Sequence, residues 1–141
     1  MKYILIISSI LLFTTFGFSQ RGRLQFGFVE ATTKDLKSID FKVKNSIRYY
    51  LLDNFLVSFA GYSEKSAISF RYYPFSTAGS YLDVGRVINI TVDNSILLQL
   101  GYSKNFHNIW VEPFISTEFS DFNKIKNADF SFGIGAGISI N

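Results

Sequence analysis

Few residues in this sequence are suited to acid–base or metal chemistry. There is one histidine, His107, and no cysteine. A single imidazole excludes a multi-histidine metal site, and the absence of thiols excludes zinc–thiolate centres and a disulfide framework. Ser103 and Glu112 lie near His107 in the sequence, but a general base must reach its nucleophile by a hydrogen bond. We therefore predict that His107 is a solvated turn residue, with no catalytic residue, no cofactor and no metal site in the chain.

A second group of charged residues has a spacing that predicts ion pairing. Arg48, Arg71, Asp83 and Glu112 each occur in a segment with period-two alternation, on its less apolar face. Guanidinium and carboxylate groups form strong charge-assisted hydrogen bonds when they are removed from water together. We predict that these four residues form an interior polar network that plugs the fold. The alternative, in which they line a small conducting or ligand pathway, stays open at this point.

Length and composition limit the class of protein. A chain of 141 residues corresponds to one domain, and a formal charge of +3 is too small for a dedicated nucleic-acid binder. Aromatic residues make up 18% of the chain and charged residues also 18%, whereas soluble domains carry about 25% charged residues. Such a chain needs an apolar environment for part of its surface.

The first residues have the layout of a secretory signal peptide. Met1 and Lys2 form a positive start, Tyr3–Phe16 is apolar, and Gly17 and Ser19 are small residues at a cleavage position. The apolar run is shorter than the roughly 20 residues of a membrane-spanning helix, which disfavours an N-terminal anchor. We predict a signal peptide over residues 1–19 and a mature domain over residues 20–141.

The mature region alternates with the period of a β-strand. In the last segment Phe130, Phe132 and Ile134 share one face, while glycine and serine occupy the other. Eight such segments follow one another, separated by a two-residue turn at Asp53–Asn54, a polar break at Ser103–Asn105 and other polar stretches. In this pattern Val29 falls on the polar face. The charged Arg86 falls on the apolar face of its segment, which predicts a bulge or an early strand end there.

The less apolar face decides which side meets water. It carries small residues, Gln and Tyr with about one charge per strand, whereas a solvated sheet face is rich in charge. We therefore predict an all-β, eight-stranded antiparallel up-and-down transmembrane β-barrel with its apolar face outward. Aromatic residues near the strand ends are expected to form interfacial girdles: Tyr49, Tyr50, Tyr62, Tyr72, Tyr73, Tyr81, Tyr102 and Trp110. The alternative is a secreted soluble, lipocalin-like barrel that binds an apolar ligand inside.

Short motifs add a family resemblance. The segments 48–54 (RYYLLDN) and 70–75 (FRYYPF) resemble recurring phrases of small outer-membrane β-barrel proteins of Bacteroidetes-type bacteria, with an OmpA-like or OmpX-like eight-stranded barrel. The ending is similar to the C-terminal assembly signal of these proteins, represented here by Gly135, Ile138 and Ile140.

The resemblance implies a location and partners. It implies a monomeric cell-envelope protein of a Gram-negative outer membrane, in contact with outer-membrane lipids and lipopolysaccharide and inserted by the outer-membrane assembly machinery. Both termini would be periplasmic, and loops near Thr32–Asp40, Glu64, Ile90–Asn94 and Ser120–Asn127 would point outward. Their lysines, including Lys34 and Lys124, are expected to be a solvated rim or to pair with lipopolysaccharide phosphates. The expected role is structural or surface-interacting, without an open pore or enzymatic activity. A lipid A-modifying outer-membrane enzyme is a further alternative.

Overall fold

The structure is a computed structural model that describes residues 22–34, 37–62, 65–75, 79–89, 91 and 93–140, except for the side chains of residues 42 and 62. The predicted signal peptide, residues 1–19, lies outside the described residues. The described part forms nine strand segments: β1 (Leu24–Thr33), β2 (Asp40–Leu52), β3 (Phe55–Tyr62), β4 (Lys65–Tyr72), β5 (Ser80–Asn89), β6 (Ser95–Tyr102), β7 (Lys104–Phe106), β8 (Ile109–Phe119) and β9 (Phe130–Ile140).

These segments close into one antiparallel barrel. The strand order runs β6-β5-β4-β3-β2-β1-β9-β8-β7, and a further pairing of β6 with β8 closes the ring. Strands β6 and β7 are interrupted only at Ser103 and both pair with β8, so they are two parts of one strand. The predicted eight-stranded antiparallel barrel is therefore confirmed.

The two ends of the barrel differ in their connections. One end, called here the turn end, carries the tight turns Asp53–Asn54 and His107–Asn108. The other end, called the loop end, carries the β1–β2 and β8–β9 connections. The second of these contains a 3-10 helix, Phe122–Asn127, whose N-cap Asp121 side chain accepts a bond from the backbone N–H of Asn123. Among the described residues no helix is long and apolar enough to cross a membrane.

One predicted break is misplaced. The polar run Ser103–Asn105 was expected to be a break between strands, but the strand resumes at Lys104 and the reversal occurs at His107–Asn108. His107 adopts a left-handed backbone with φ of 56°, which a non-glycine residue takes mainly in tight turns. Polar residues continue the strand here because Ser103 is buried on the inner face, where polar side chains belong.

The polarity of the barrel follows the period-two pattern, with apolar side chains outward. Phe130, Phe132 and Ile134 are 56%, 43% and 55% exposed. Most of the polar side chains at the alternate strand positions, which point to the opposite face, are buried. The buried polar and charged residues are Gln25, Ser46, Arg48, Ser58, Ser69, Arg71, Asp83, Gln99, Ser103, Glu112, Thr117 and Ser139. The centre of the barrel is thus polar and aromatic rather than aliphatic.

Two local expectations were wrong. Val29, expected on the polar face, is exposed on the outer face because β1 has a register shift between Gly27 and Val29 against both of its neighbours. Such a bulge lets two successive residues point outward. Conversely, β5 pairs with β4 without a shift through Arg86, so the expected bulge is absent there and Arg86 simply lies on the outer face.

Candidate functional site

Four ionisable side chains meet inside the barrel. Arg48 extends from β2, Arg71 from β4, Asp83 from β5 and Glu112 from β8, and each residue is at most 6% exposed. Arg71 and Asp83 are direct partners across the β4–β5 pair, whereas Glu112 reaches them from another part of the ring. We call these four residues the charge cluster; all four were singled out from the sequence.

Glu112 is the centre of the charge cluster. Its Oε1 lies 2.5 Å from Nη1 of Arg71, and its Oε2 lies 2.8 Å from Nη1 of Arg48. Arg71 also donates from Nε and Nη2 to Oδ2 of Asp83, at 3.2 and 3.0 Å. Two guanidinium groups and two carboxylates therefore balance one another, which offsets the cost of removing four charges from water.

Aromatic rings enclose the charge cluster. The guanidinium carbon of Arg48 lies 4.0 Å from the ring centroid of Trp110, and that of Arg71 lies 3.6 Å from the ring centroid of Tyr81. Both distances are within the range of cation–π attraction. The Tyr73 hydroxyl accepts a bond from Tyr50 at 3.1 Å and another from Arg71. Hydrocarbon and π-faces thus surround the charged groups on the inside of the barrel.

The placement of these rings corrects the predicted girdles. Tyr50, Tyr73, Tyr81 and Trp110 are buried in the interior, whereas Tyr49 and Tyr72 are exposed and Tyr102 is half-buried. The side chain of Tyr62 lies outside the described part of the chain. The sequence did contain the signal. Each buried ring lies two residues from a member of the charge cluster on the same strand or just beyond its end, so both share one face.

The glycines of β9 make room for these rings. A Cβ atom on Gly137 would stand 2.5 Å from the indole of Trp110 and would also overlap the Phe26 carbonyl oxygen. A Cβ on Gly133 would overlap the ring of Phe114. The glycine face that the sequence shows in β9 is therefore the surface against which the large interior rings pack.

Above the charge cluster, a cavity opens at the loop end. It has a volume of about 1020 Å³, and we call it the cup. Two ion pairs form part of its lining: Lys44 with Glu30 at 2.6 Å, and Lys65 with Glu118 at 3.6 Å. The sequence alone does not reveal the cup, because its lining depends on which rim residues converge around the ring. Lys34 and Lys124, expected at a solvated rim, are both part of its lining.

The remaining predicted residues lie apart from the charge cluster. His107 is an exposed turn residue whose carbonyl oxygen accepts a bond from Arg23. Gly135 lies on the inner face of β9, and Ile138 and Ile140 are exposed on its outer face. No group of three or more His, Cys, Asp or Glu side chains in the described ranges is arranged to hold a metal ion.

Comparison with known proteins supports the fold. No protein-family model matches the sequence, and none of the curated proteins matches it. The N-terminal β-barrel domain of Pseudomonas aeruginosa OprF is similar in structure, with a TM-score of 0.64 and 14% identity over 85% of this chain and 98% of that one. Ail, the attachment invasion locus protein of Yersinia pestis, aligns with a TM-score of 0.43 and 13% identity over 85% of this chain and 99% of that one. The similarity to the OprF domain supports the fold and nothing beyond the fold.

Proposed function

We propose that this chain is a small integral outer-membrane barrel protein with a sealed interior and a structural or surface-interaction role. The observation that carries the proposal is the inverted polarity. Large apolar side chains cover the outside, while the charge cluster and its aromatic surround fill the inside. A closed barrel pairs its backbone groups between strands, as a hydrocarbon environment requires.

The outer face favours this proposal over a soluble lipocalin-like barrel. Phe28, Ile47, Phe59 and Phe70 are all exposed on neighbouring strands. Soluble monomers rarely expose continuous apolar patches of more than a few hundred Å². The charge cluster in the interior also disfavours binding of an apolar ligand there, because the ligand would have to break the ion pairs among Arg48, Arg71, Asp83 and Glu112.

The charge cluster supports a sealed rather than an open interior. An eight-stranded barrel is just wide enough to be filled by side chains. Here Arg71 reaches both Asp83 on a neighbouring strand and Glu112 elsewhere in the ring, so the cluster extends across the lumen. We propose that the cluster and its rings together block ion flow. No enzymatic role is proposed, since His107 is an exposed turn residue at the end remote from the cup.

The location follows from the same proposal. The turn end would face the periplasm after removal of residues 1–19, and the loop end would face outward. Gly135 and the outward-facing residues Ile138 and Ile140 would serve as the assembly signal. The protein would be a monomer surrounded by outer-membrane lipids and lipopolysaccharide. This orientation is the one that the resemblance of residues 48–54 and 70–75 to small outer-membrane barrels implies.

Two measurements test the proposal. In membrane fractionation, we expect the protein in the detergent-extracted outer-membrane fraction, with a gel mobility that changes on boiling; release into the periplasm or medium without detergent would contradict it. In planar lipid bilayers, the purified chain is expected to produce no unit conductance. Stable conductance steps would overturn the sealed interior while leaving the membrane location intact.

A further inference from the structure

The cup at the loop end is a second site, separate from the charge cluster. Its volume of about 1020 Å³ lies at the upper end of the range for small-molecule pockets, roughly 300–1,000 Å³. Gln99 and Ser116, which are neighbours on β6 and β8, belong to its deeper lining, and the 3-10 helix contributes Lys124 and Asn127 from the loop end. The cup is therefore a deep, one-sided recess with loop residues around its mouth.

The charges of the described residues that line the cup cancel. Besides the pairs Lys44–Glu30 and Lys65–Glu118, this described lining contains two more lysines and two more carboxylates, Lys34, Lys124, Asp40 and Asp129. A single-sign field attracts an ion of the opposite sign, but a balanced set of charges produces no such net attraction. The cup thus offers many hydrogen-bonding groups of both kinds without a preference for an anion or a cation.

Several of these groups are held in place before any ligand binds. The side-chain amide of Gln99 donates to the Tyr81 hydroxyl at 2.7 Å. Glu118 accepts a bond from the Ser95 hydroxyl in addition to its pairing with Lys65. Fixed polar groups favour a ligand whose own hydroxyl groups match them, and they penalise one that leaves them unpaired.

Apolar surface completes the lining. Leu97 and Phe119 belong to it, and Phe119 is held by an edge-to-face contact with Phe122 of the 3-10 helix, with ring centroids 5.6 Å apart. A sugar ring presents both polar hydroxyl edges and apolar C–H faces, and it carries no charge. We propose that the cup binds a neutral saccharide, either a free oligosaccharide or the end of a polysaccharide chain.

The test uses the full chain in lauryldimethylamine oxide, a detergent without sugar or phosphate, and titration calorimetry with three trisaccharides of similar size. In mildly acidic buffer tri-N-acetylchitotriose is neutral, its deacetylated glucosamine trimer is cationic because its amines are protonated, and trigalacturonate is anionic. We expect the neutral trimer to bind at least ~10-fold more tightly than either charged trimer, which corresponds to ~1.4 kcal/mol. Tighter binding of a charged trimer, or no binding of the neutral one, would overturn the proposal. High-mass dextran distinguishes the two possible ligands, a free oligosaccharide and the end of a polysaccharide chain, because only a site that accepts chain ends binds dextran.

Matched variants place the binding in the cup. Ser116→Trp fills the recess and is expected to lower affinity for the neutral trimer at least ~10-fold, while Ser66→Trp, on the outer face, leaves it unchanged. If Ser116→Trp fails to fold, Lys124→Ala replaces it, with Lys126→Ala on the same helix as control because Lys126 does not line the cup. Unchanged affinity in the cup variant that folds would refute the assignment, and it would leave the outer-membrane proposal untouched.

Discussion

Removing the charge of Glu112 is the perturbation that best tests the charge cluster. In Glu112→Gln the two guanidinium groups that flank the carboxylate, at 2.5 and 2.8 Å, lose their shared counter-charge. Arg71 keeps Asp83, whereas Arg48 has, among the described residues, the ring face of Trp110 but no second carboxylate partner. Removing one partner of a buried ion pair costs about 3–5 kcal/mol, because the other charge stays buried and uncompensated.

The same strand supplies a matched control. Glu118 also forms an ion pair, in this case with Lys65, but the N–O distance is 3.6 Å and both side chains are more than a third exposed. Exposed pairs contribute about 0–1 kcal/mol. Glu118→Gln is therefore expected to change the free energy of unfolding by no more than that amount, although the chemical change is identical.

The assay is equilibrium urea unfolding in detergent micelles, followed by the fluorescence of Trp110, the only tryptophan. We expect a loss of about 3–5 kcal/mol for Glu112→Gln and a partial recovery when Arg48→Leu is added, because the second change removes the unpaired charge. Equal, small losses for Glu112→Gln and Glu118→Gln, or strict additivity of the Glu112 and Arg48 changes, would refute the reasoning.

Two other predictions concern packing and the outer face. Gly137→Ala places a Cβ against Trp110 and the Phe26 carbonyl oxygen, so it is expected to cost about 1–3 kcal/mol in the same urea titration. Gly61→Ala meets nothing within 4 Å and should be neutral or stabilising by up to about 1 kcal/mol; the reverse order would contradict the packing described. Arg86→Leu removes a charge from the outer face and should stabilise the barrel by about 1–3 kcal/mol in lipid bilayers. A change within about 0.5 kcal/mol is instead typical of a water-exposed surface and would argue against lipid contact.

The sequence predicted the barrel well because side-chain parity is a local property. Phe130, Phe132 and Ile134 point outward, as their alternation indicates, and the same rule places Arg48 and Glu112 inside. The alternation is misleading at the bulge before Val29, because that bulge is set by pairing with two other strands, which no local pattern reveals.

The contents of the interior were harder to predict. That Arg48 and Arg71 converge on one carboxylate depends on which positions face each other across a closed ring. The rings of Tyr50 and Trp110 were assigned to the membrane interface by residue type, whereas their parity with the charged residues placed them inside. The cup combines residues from both ends of the sequence, such as Glu30 and Glu118, and so had no signature in any single segment.

The central claim is that hydrocarbon contacts the phenylalanine-rich face while Trp110 lies inside. Its most direct test compares two single-tryptophan proteins in bilayers of brominated phospholipid, which quenches fluorescence at short range. The natural chain reports from Trp110, and a Trp110→Phe, Phe132→Trp variant reports from the outer face. We expect weak quenching of Trp110 and strong quenching at position 132, with both proteins keeping a heat-sensitive gel mobility. Strong quenching of Trp110 together with an unquenched position 132 would contradict the inverted barrel.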